Sequence, residues 1–478
     1  MFFSLKTDCY YRHYGNIGYL TRPIISLEEV VDEIGAIFLD KLSYELKDVD
    51  EIVSEIISDF DAPCEELKHD AIYFYSKLAE DGFLNVSEDN ILKDNGGFDY
   101  STLDGKISNN NIQPQLEESS SSFLSKFFND NPFLDTFHIE ITSRCNERCI
   151  HCYIPHETKN KSIEPKLYYS VIDQCKEMGV MTIIISGGEP TLHPNFCEFV
   201  KYAKDLDFNV VILSNMTLLS DEILNVLKYR HASCVNISLY SMDPEVHDSI
   251  TTLKGSFDKT FANINKLIEN NIPVQINLPV MKQNKDTFHE VIKWGQEMKC
   301  MVNTDYLIMA RSDRTTDNLE NRLTYDELQD VIKIIIENNI AIRHRMEQGA
   351  DEKASEENNP EDRVCGVGRS TLCMVSSGKV YPCAGWQKQI CGDLNLNSLK
   401  DIWTNSPQII ALRSIKLKDF KKCANCDDVN YCLMCMSRNS NENPEGSLFV
   451  IPPITCEAAR INHQIVAEYY KKNSANND

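Results

Sequence analysis

LDTFHIEITSRCNERCIHCYIP, residues 134–155, decides how the rest of the chain is read. Its first nine residues are rich in Phe, Ile and Thr, the composition of a strand. Three thiols follow at CxxxCxxC spacing, Cys145, Cys149 and Cys152. A closed structural zinc site takes four ligands, and His151 is the one further candidate in the loop. A four-iron cubane, by contrast, tolerates three thiolates when something else occupies the fourth iron. The spacing therefore points to a loop that wraps one inorganic cluster and leaves one corner open.

Around this stretch short apolar strands alternate with amphipathic helices. After 134–142, strands are expected at 180–187, 208–215, 234–241, 272–281 and 301–310, with helical stretches such as LYYSVIDQCKEMG and FDKTFANINKLIENN between them. Repeated strand-helix units imply an α/β unit with a parallel sheet and helices outside it, either open or closed into a barrel. In barrels the chemistry sits at the carboxyl ends of strands. The notable residues do follow strand ends: the Cys145 loop, then Gly187 to Pro190, then Ser214 and Asn215, with Ser238 and Tyr240 along the fourth strand.

At 478 residues the chain is expected to hold about three domains at roughly 150 residues each. Acidic residues outnumber basic ones 72 to 48, a formal charge of -24, which opposes binding to a phosphate backbone, so no nucleic-acid partner is expected. No run reaches the roughly 18 apolar residues of a membrane helix, and the start lacks a signal peptide's pattern. The expectation is a cytoplasmic protein with no membrane partner. In that reducing setting eighteen cysteines are better read as metal ligands than as disulfides. Eleven fall into groups, while Cys9, Cys64, Cys175, Cys197, Cys234, Cys300 and Cys391 are isolated and read as small packing residues.

CNERCIHC resembles the signature of the radical S-adenosylmethionine (SAM) superfamily. That resemblance implies a partial (β/α)6 TIM-type barrel. It also implies a 4Fe-4S cluster on Cys145, Cys149 and Cys152, with the amino and carboxylate groups of SAM on the open iron. His151 and Tyr153 flank the last cysteine. ISGGEP, with Gly187, Gly188, Glu189 and Pro190, is similar to the family's segment that holds the amino group of SAM; adjacent glycines allow close backbone approach, and Glu189 could accept from an ammonium. SLYSMDPEVHDSITTLKGSF resembles the family's fourth-strand region, making Ser238, Asn277 and Ser214 candidates for ribose and carboxylate contacts. Relatives often carry an arginine near Thr251, and this chain does not.

Further on, Cys365, Gly378 and Cys383, then CANCDDVNYCLMC and Cys456, resemble the SPASM extension of radical maturases. Two residues precede Cys435 where relatives commonly have three. The resemblance implies one auxiliary 4Fe-4S cluster on Cys365, Cys373, Cys383 and Cys435 and another on Cys423, Cys426, Cys432 and Cys456. Paired zinc knuckles are the alternative for such CxxC spacings.

YRHYGNIGYLTRP suggests two strands about a Gly-Asn turn, and 26–43, 48–60 and 64–84 carry helical apolar spacing. A hairpin on three helices is a winged-helix-like α+β module, and its acidity disfavours DNA. It resembles the recognition element for ribosomally made (RiPP) precursor peptides, in which a leader adds as a strand to a sheet edge. The expected organisation is a recognition element at 1–93, a linker at 94–124, the barrel at 125–347, an acidic linker at 348–363 and a SPASM domain at 364–478. The resemblance implies a maturase that abstracts a hydrogen from a precursor peptide, served by a reductant such as flavodoxin or ferredoxin. The favoured product is a thioether cross-link. The alternatives are carbon-carbon or carbon-oxygen linkage, epimerisation, sulfatase activation (disfavoured by Ala384 after Cys383), or a zinc-binding adaptor without catalysis.

Overall fold

The computed structural model describes residues 1–59, 63–92, 98–103, 132–155, 160–231, 233–338 and 360–474. Six short strands, β1 (Phe2–Leu5), β2 (Tyr10–Tyr14), β3 (Ile17–Arg22), β4 (Leu27–Val31), β5 (Lys47–Asp48) and β6 (Leu84–Ser87), make the N-terminal module with helices α1 (Glu33–Leu39), α2 (Val49–Asp59) and α3 (Cys64–Glu80). The Gly-Asn turn joins β2 to β3 with Tyr14 opposite Ile17, and Gly15 has the positive φ that such a turn requires. The strands form two antiparallel sheets, β2-β3-β4 and β5-β1-β6.

Two expectations are corrected here. Residues 26–43 are not one helix: Val30 and Val31, β-branched, sit opposite Tyr19 and Gly18 as part of β4. Asp32 then caps α1 by accepting from the Gly35 N–H at 2.9 Å. Within the expected 94–124 linker, Phe98 and Leu103 are buried, and the Tyr100 hydroxyl donates to the Ile272 carbonyl at 2.7 Å. The Phe98 N–H donates to the Asn271 carbonyl at the amino-terminal end of the barrel, while Phe98 and Leu103 pack against Ile25 of the N-terminal module. Apart from 98–103, the linker lies outside the described residues, as does 348–359 of the acidic linker.

The middle unit carries six parallel strands in sequential order: β7 (Thr136–Thr142), β8 (Thr182–Gly187), β9 (Asn209–Ser214), β10 (Cys234–Ser238), β11 (Val274–Pro279) and β12 (Met301–Asp305). Helices α4 (Pro165–Glu177), α5 (Phe196–Asp205), α6 (Asp221–Lys228), α7 (Pro244–Thr251), α8 (Ser256–Glu269), α9 (Phe288–Glu297) and α10 (Tyr325–Asn338) follow the strands. Period-two alternation assigns the two faces. Phe137, Ile139, Ile141, Ile183, Ile185, Val235, Ile237, Ile276 and Leu278 form one core with Tyr168, Phe199, Leu227 and Ile264 of the helices. Each such side chain contributes about 1.5–3 kcal/mol on burial. The intervening positions, including Glu140, Asn236, Ser238 and Asn277, face the lumen side, where polar groups reach the site.

The sheet does not stop at β7. β13 (Thr371–Val375) pairs with β7 in parallel, and β14 (Lys379–Tyr381) and β15 (Gly392–Asp393) continue antiparallel. The C-terminal unit thus extends the barrel sheet to nine strands. Helices Leu399–Asn405, Pro407–Ser414, Met436–Glu442 and Pro453–Ser474 follow. Among the described residues, no helix is long and apolar enough to cross a membrane.

Candidate active site

The cysteine loop leaves the carboxyl end of β7 and is held by main-chain bonds from three directions. Arg148 and Ile150 N–H groups donate to the Thr251 and Ile250 carbonyls at the end of α7. The Arg311 guanidinium donates to the Cys152 carbonyl at 2.9 Å, and the Asn318 and Asn321 amides donate to His151 and Ile150. Asn146 bonds Thr217 and Asn215 at 2.7 and 2.9 Å. Rigid elements therefore present the three thiols, as a preorganised site requires. Thr251 is buried, and its carbonyl accepts from the loop backbone.

The glycines of ISGGEP act on this loop directly. A Cβ on Gly187 would stand 2.0 Å from the Thr142 carbonyl oxygen, and one on Gly188 would stand 2.3 Å from that of Arg144. The close approach lets the Gly188 and Glu189 N–H groups donate to Thr142 and Arg144, each at 2.8 Å. Glu189 is fully buried. Its carboxylate accepts from the Thr191 hydroxyl and N–H, the Ser214 hydroxyl at 2.8 Å and the Asn215 N–H at 2.8 Å. Glu189 thus braces the ends of β8 and β9 from below, and Pro190 begins the buried turn beside it. Burial is the largest influence on the Glu189 carboxyl and raises its pKa, against these four donors.

Cys145, Cys149 and Cys152 line one cavity of about 220 Å³ together with His151, Tyr153, Gly187, Gly188, Ser214, Ser238 and Asn277. Glu189 and Pro190 are not in its wall. Glu147, Asn215, Asn236 and Tyr240 are, and reading the motif alone did not single out Glu147 or Asn236. For Asn236 the signal was present: VNIS in β10 and VQIN in β11 alternate apolar and polar residues, with Ser238 opposite Asn277. The Tyr240 hydroxyl points at Cys149 Sγ, 3.9 Å away, and its ring meets His151 edge-on at 5.1 Å between centroids. Cys149 donates to Glu147 at 3.3 Å. Burial first, then Glu147 and Cys152, drive the Cys149 thiol well above its ordinary value.

The SPASM thiols fall into two neighbourhoods. Cys383 is pushed up to about 12, by burial first and then by Cys435 and Cys365. Cys373, fully buried on β13, is raised by burial, then by Glu140 and Cys383. Separately, Cys432 is pushed up to about 12 by burial, then by Cys456, Cys423 and Cys426. Cys391 also neighbours Cys383. Among the described residues no three His, Cys, Asp or Glu side chains converge tightly enough for a single metal ion.

Residues 139–295 match the radical SAM superfamily, and residues 365–427 match the SPASM iron-sulfur cluster-binding domain. The chain carries a radical SAM domain followed by a SPASM domain. It is similar to the AdoMet-dependent heme synthase of Methanosarcina barkeri, 27% identical over 323 residues that cover 63% of this chain and 90% of that one. It is also similar to AlbA of Bacillus subtilis, an antilisterial bacteriocin subtilosin biosynthesis protein, at 27% identity over 352 residues, covering 69% and 73%. Streptococcus suis SuiB, solved with its precursor peptide SuiA, shares the fold over 95% of this chain and all of that one, with a TM-score of 0.62 at 16% identity. The two domains imply a SAM-binding 4Fe-4S cluster and auxiliary clusters. The donor set fits them: three buried or half-buried thiols share one cavity with glycine backbone and neutral polar groups, beside two separate sets of thiols.

Proposed function

We propose that the chain is a RiPP maturase that abstracts a hydrogen from a ribosomally made precursor peptide and forms a thioether cross-link. The observation that carries the reading is the cavity that joins Cys145, Cys149 and Cys152 to Gly187, Gly188, Ser214, Ser238 and Asn277, in a chain that also holds a docked N-terminal module and the SPASM thiols. Cys145, Cys149 and Cys152 would hold a 4Fe-4S cluster which, reduced and with SAM bound, would supply the radical chemistry of hydrogen abstraction. The chain's own residues do the rest: Gly187 and Gly188 bring backbone against the ligand space, Ser214, Ser238 and Asn277 offer hydrogen bonds to SAM, and the Tyr240 and His151 rings, packed edge-on, form part of the wall. Cys365, Cys373, Cys383 and Cys435 would hold one auxiliary cluster and Cys423, Cys426, Cys432 and Cys456 the other, which would accept the second electron.

In the β2-β3-β4 sheet of the N-terminal module, the edge suited to leader capture is β4. β2 is turned to the barrel: Arg12 donates to the Val180 and Asp207 carbonyls at 3.2 and 2.9 Å, and Tyr14 bonds Asp135 at 3.1 Å. β4 stands at the opposite edge of the sheet, half-buried along its length, where a leader strand would add through main-chain bonds. AlbA, named for bacteriocin biosynthesis, and SuiB, solved with a precursor peptide, support a peptide substrate. A tetrapyrrole substrate is the competing reading from the heme synthase relative; it leaves the N-terminal module without a role.

The test is anaerobic coexpression with a short peptide encoded beside the gene, followed by mass spectrometry. A thioether removes two hydrogens and one alkylatable cysteine thiol. Carbon-carbon or carbon-oxygen linkage removes the hydrogens alone, epimerisation adds solvent deuterium without other change, and an unmodified peptide with a modified tetrapyrrole overturns the proposal.

A further inference from the structure

A second cavity, about 500 Å³, opens where the carboxyl end of β7 meets the β13–β14 hairpin. It adjoins the cysteine-loop cavity: Ile154 lines both, and Tyr153, in the wall of the first, donates to Glu140, in the wall of the second, at 3.2 Å. Its charged residues are Lys161, Lys379, Lys388, Glu140 and Asp313. The two acids are engaged by the protein. Glu140 is buried and accepts from the Gln387 amide at 3.1 Å on each oxygen; burial pushes it up to about 7. Asp313 accepts from the Thr315 N–H and hydroxyl at 3.0 and 2.7 Å. The lysines stand otherwise: all three are exposed, and among the described residues none forms an ion pair. Ser376, Ser377 and Asn160 add neutral polar groups.

In a chain of net charge -24, three ammonium groups that form no ion pair among the described residues make a local positive field around one recess that the rest of the surface opposes. Three ammonium groups against two acids, Glu140 buried beneath Gln387 and Asp313 turned to Thr315, leave the recess net positive, and a recess of one net sign concentrates ligands of the other. We propose that this cavity binds an acidic segment of the peptide substrate, holding its carboxylates on Lys161, Lys379 and Lys388 beside the SAM cavity. The proposal rests on the peptide-modifying reading above and adds a sequence preference to it.

The experiment uses the full chain with its clusters reconstituted anaerobically and two fluorescein-labelled hexapeptides, Gly-Glu-Asp-Glu-Ser-Gly and its amide counterpart Gly-Gln-Asn-Gln-Ser-Gly, followed by fluorescence anisotropy. The acidic peptide is expected to bind about tenfold more tightly at low salt, and the advantage to shrink as salt rises. Lys379→Glu with Lys388→Glu should abolish that advantage, the milder Lys379→Gln with Lys388→Gln should reduce it, and Lys266→Glu on α8 should leave it intact. Equal binding of the two peptides, or an unchanged preference in the double charge reversal, overturns the proposal. Reductive cleavage of SAM by the wild-type protein is measured separately: its absence counts against the proposed function, whereas the anisotropy decides the acidic preference by itself.

Discussion

Gly188→Ala tests whether the glycine pair serves the cysteine loop by close packing. The added methyl would lie 2.3 Å from the Arg144 carbonyl oxygen, 2.6 Å from its carbon and 2.7 Å from the Ser143 oxygen. All three are backbone atoms, so no side-chain rotation relieves the contact. Restoring ordinary van der Waals separation requires a displacement of roughly 1 Å. That movement acts on residues 143 and 144, immediately before Cys145, and strains the 2.8 Å bonds from Gly188 to Thr142 and from Glu189 to Arg144. Two weakened backbone bonds cost about 1–3 kcal/mol, and a 1 Å misplacement of a reacting group costs about 100-fold in rate. The assay is deoxyadenosine formation from SAM after dithionite reduction, normalised to iron content. Gly255→Ala is the control. Gly255 has φ 77° but nothing within 4 Å of its Cβ position, so it should lose about 1 kcal/mol of stability and no SAM cleavage. Gly188→Ala within threefold of wild type would refute the packing argument.

Three further substitutions read other parts of the molecule. Glu140, raised from 4.5 to about 7 by burial, against the donors Gln387 and Tyr153, holds a proton in the folded state that the unfolded chain releases between those pH values. Its contribution is therefore fully present below pH 4.5 and is lost as pH rises through 7, a change of about 3 kcal/mol. Glu140→Gln should be more stable than wild type at pH 8 and lose that advantage at pH 5 in anaerobic melting curves; parallel pH profiles would contradict this. Lys204, fully buried, donates to the carbonyls of Val226, Leu227, Tyr229 and His231 at 2.7 to 3.1 Å, so Lys204→Met should destabilise by about 3–5 kcal/mol in urea. Cys432→Ala, in the set with Cys423, Cys426 and Cys456, should lower iron and sulfide by about four atoms each per chain, with the other clusters retained in their spectra.

The barrel was legible because its strands and its motif are local signals. All six strands fall within the stretches expected from apolar runs, and the cysteine loop occupies the strand end that its spacing implied. Long-range pairing was not legible. β1 finds its partners only at residues 47–48 and 84–87, and β4 reads as helix until β3 is placed beside it. Glu189 shows a different limit. The chemistry of a carboxylate is compatible with an ammonium ligand, but whether its oxygens are already engaged depends on Ser214 and Asn215, two dozen residues away. Glu140 likewise gains partners that its own stretch does not announce: the Tyr153 hydroxyl of the cysteine loop and the Gln387 amide of the C-terminal unit both donate to it.

The pairing of β13 with β7 carries more of the architecture than the domain boundaries suggest. Side-chain direction alternates with period two, so a one-residue slip would turn Cys373 to the opposite face. In the register present, Cys373 lies opposite His138 and Val375 opposite Glu140. The buried thiol therefore shares a face with the residues that approach Tyr153, and its electrostatic neighbours are Glu140 and Cys383. The same strand that ends in the radical-domain cysteine loop thereby fixes where the first SPASM thiols stand. Separate domains joined by a linker would leave that spacing to chance; a shared sheet, with hydrogen bonds running from β12 to β15, sets it by strand register.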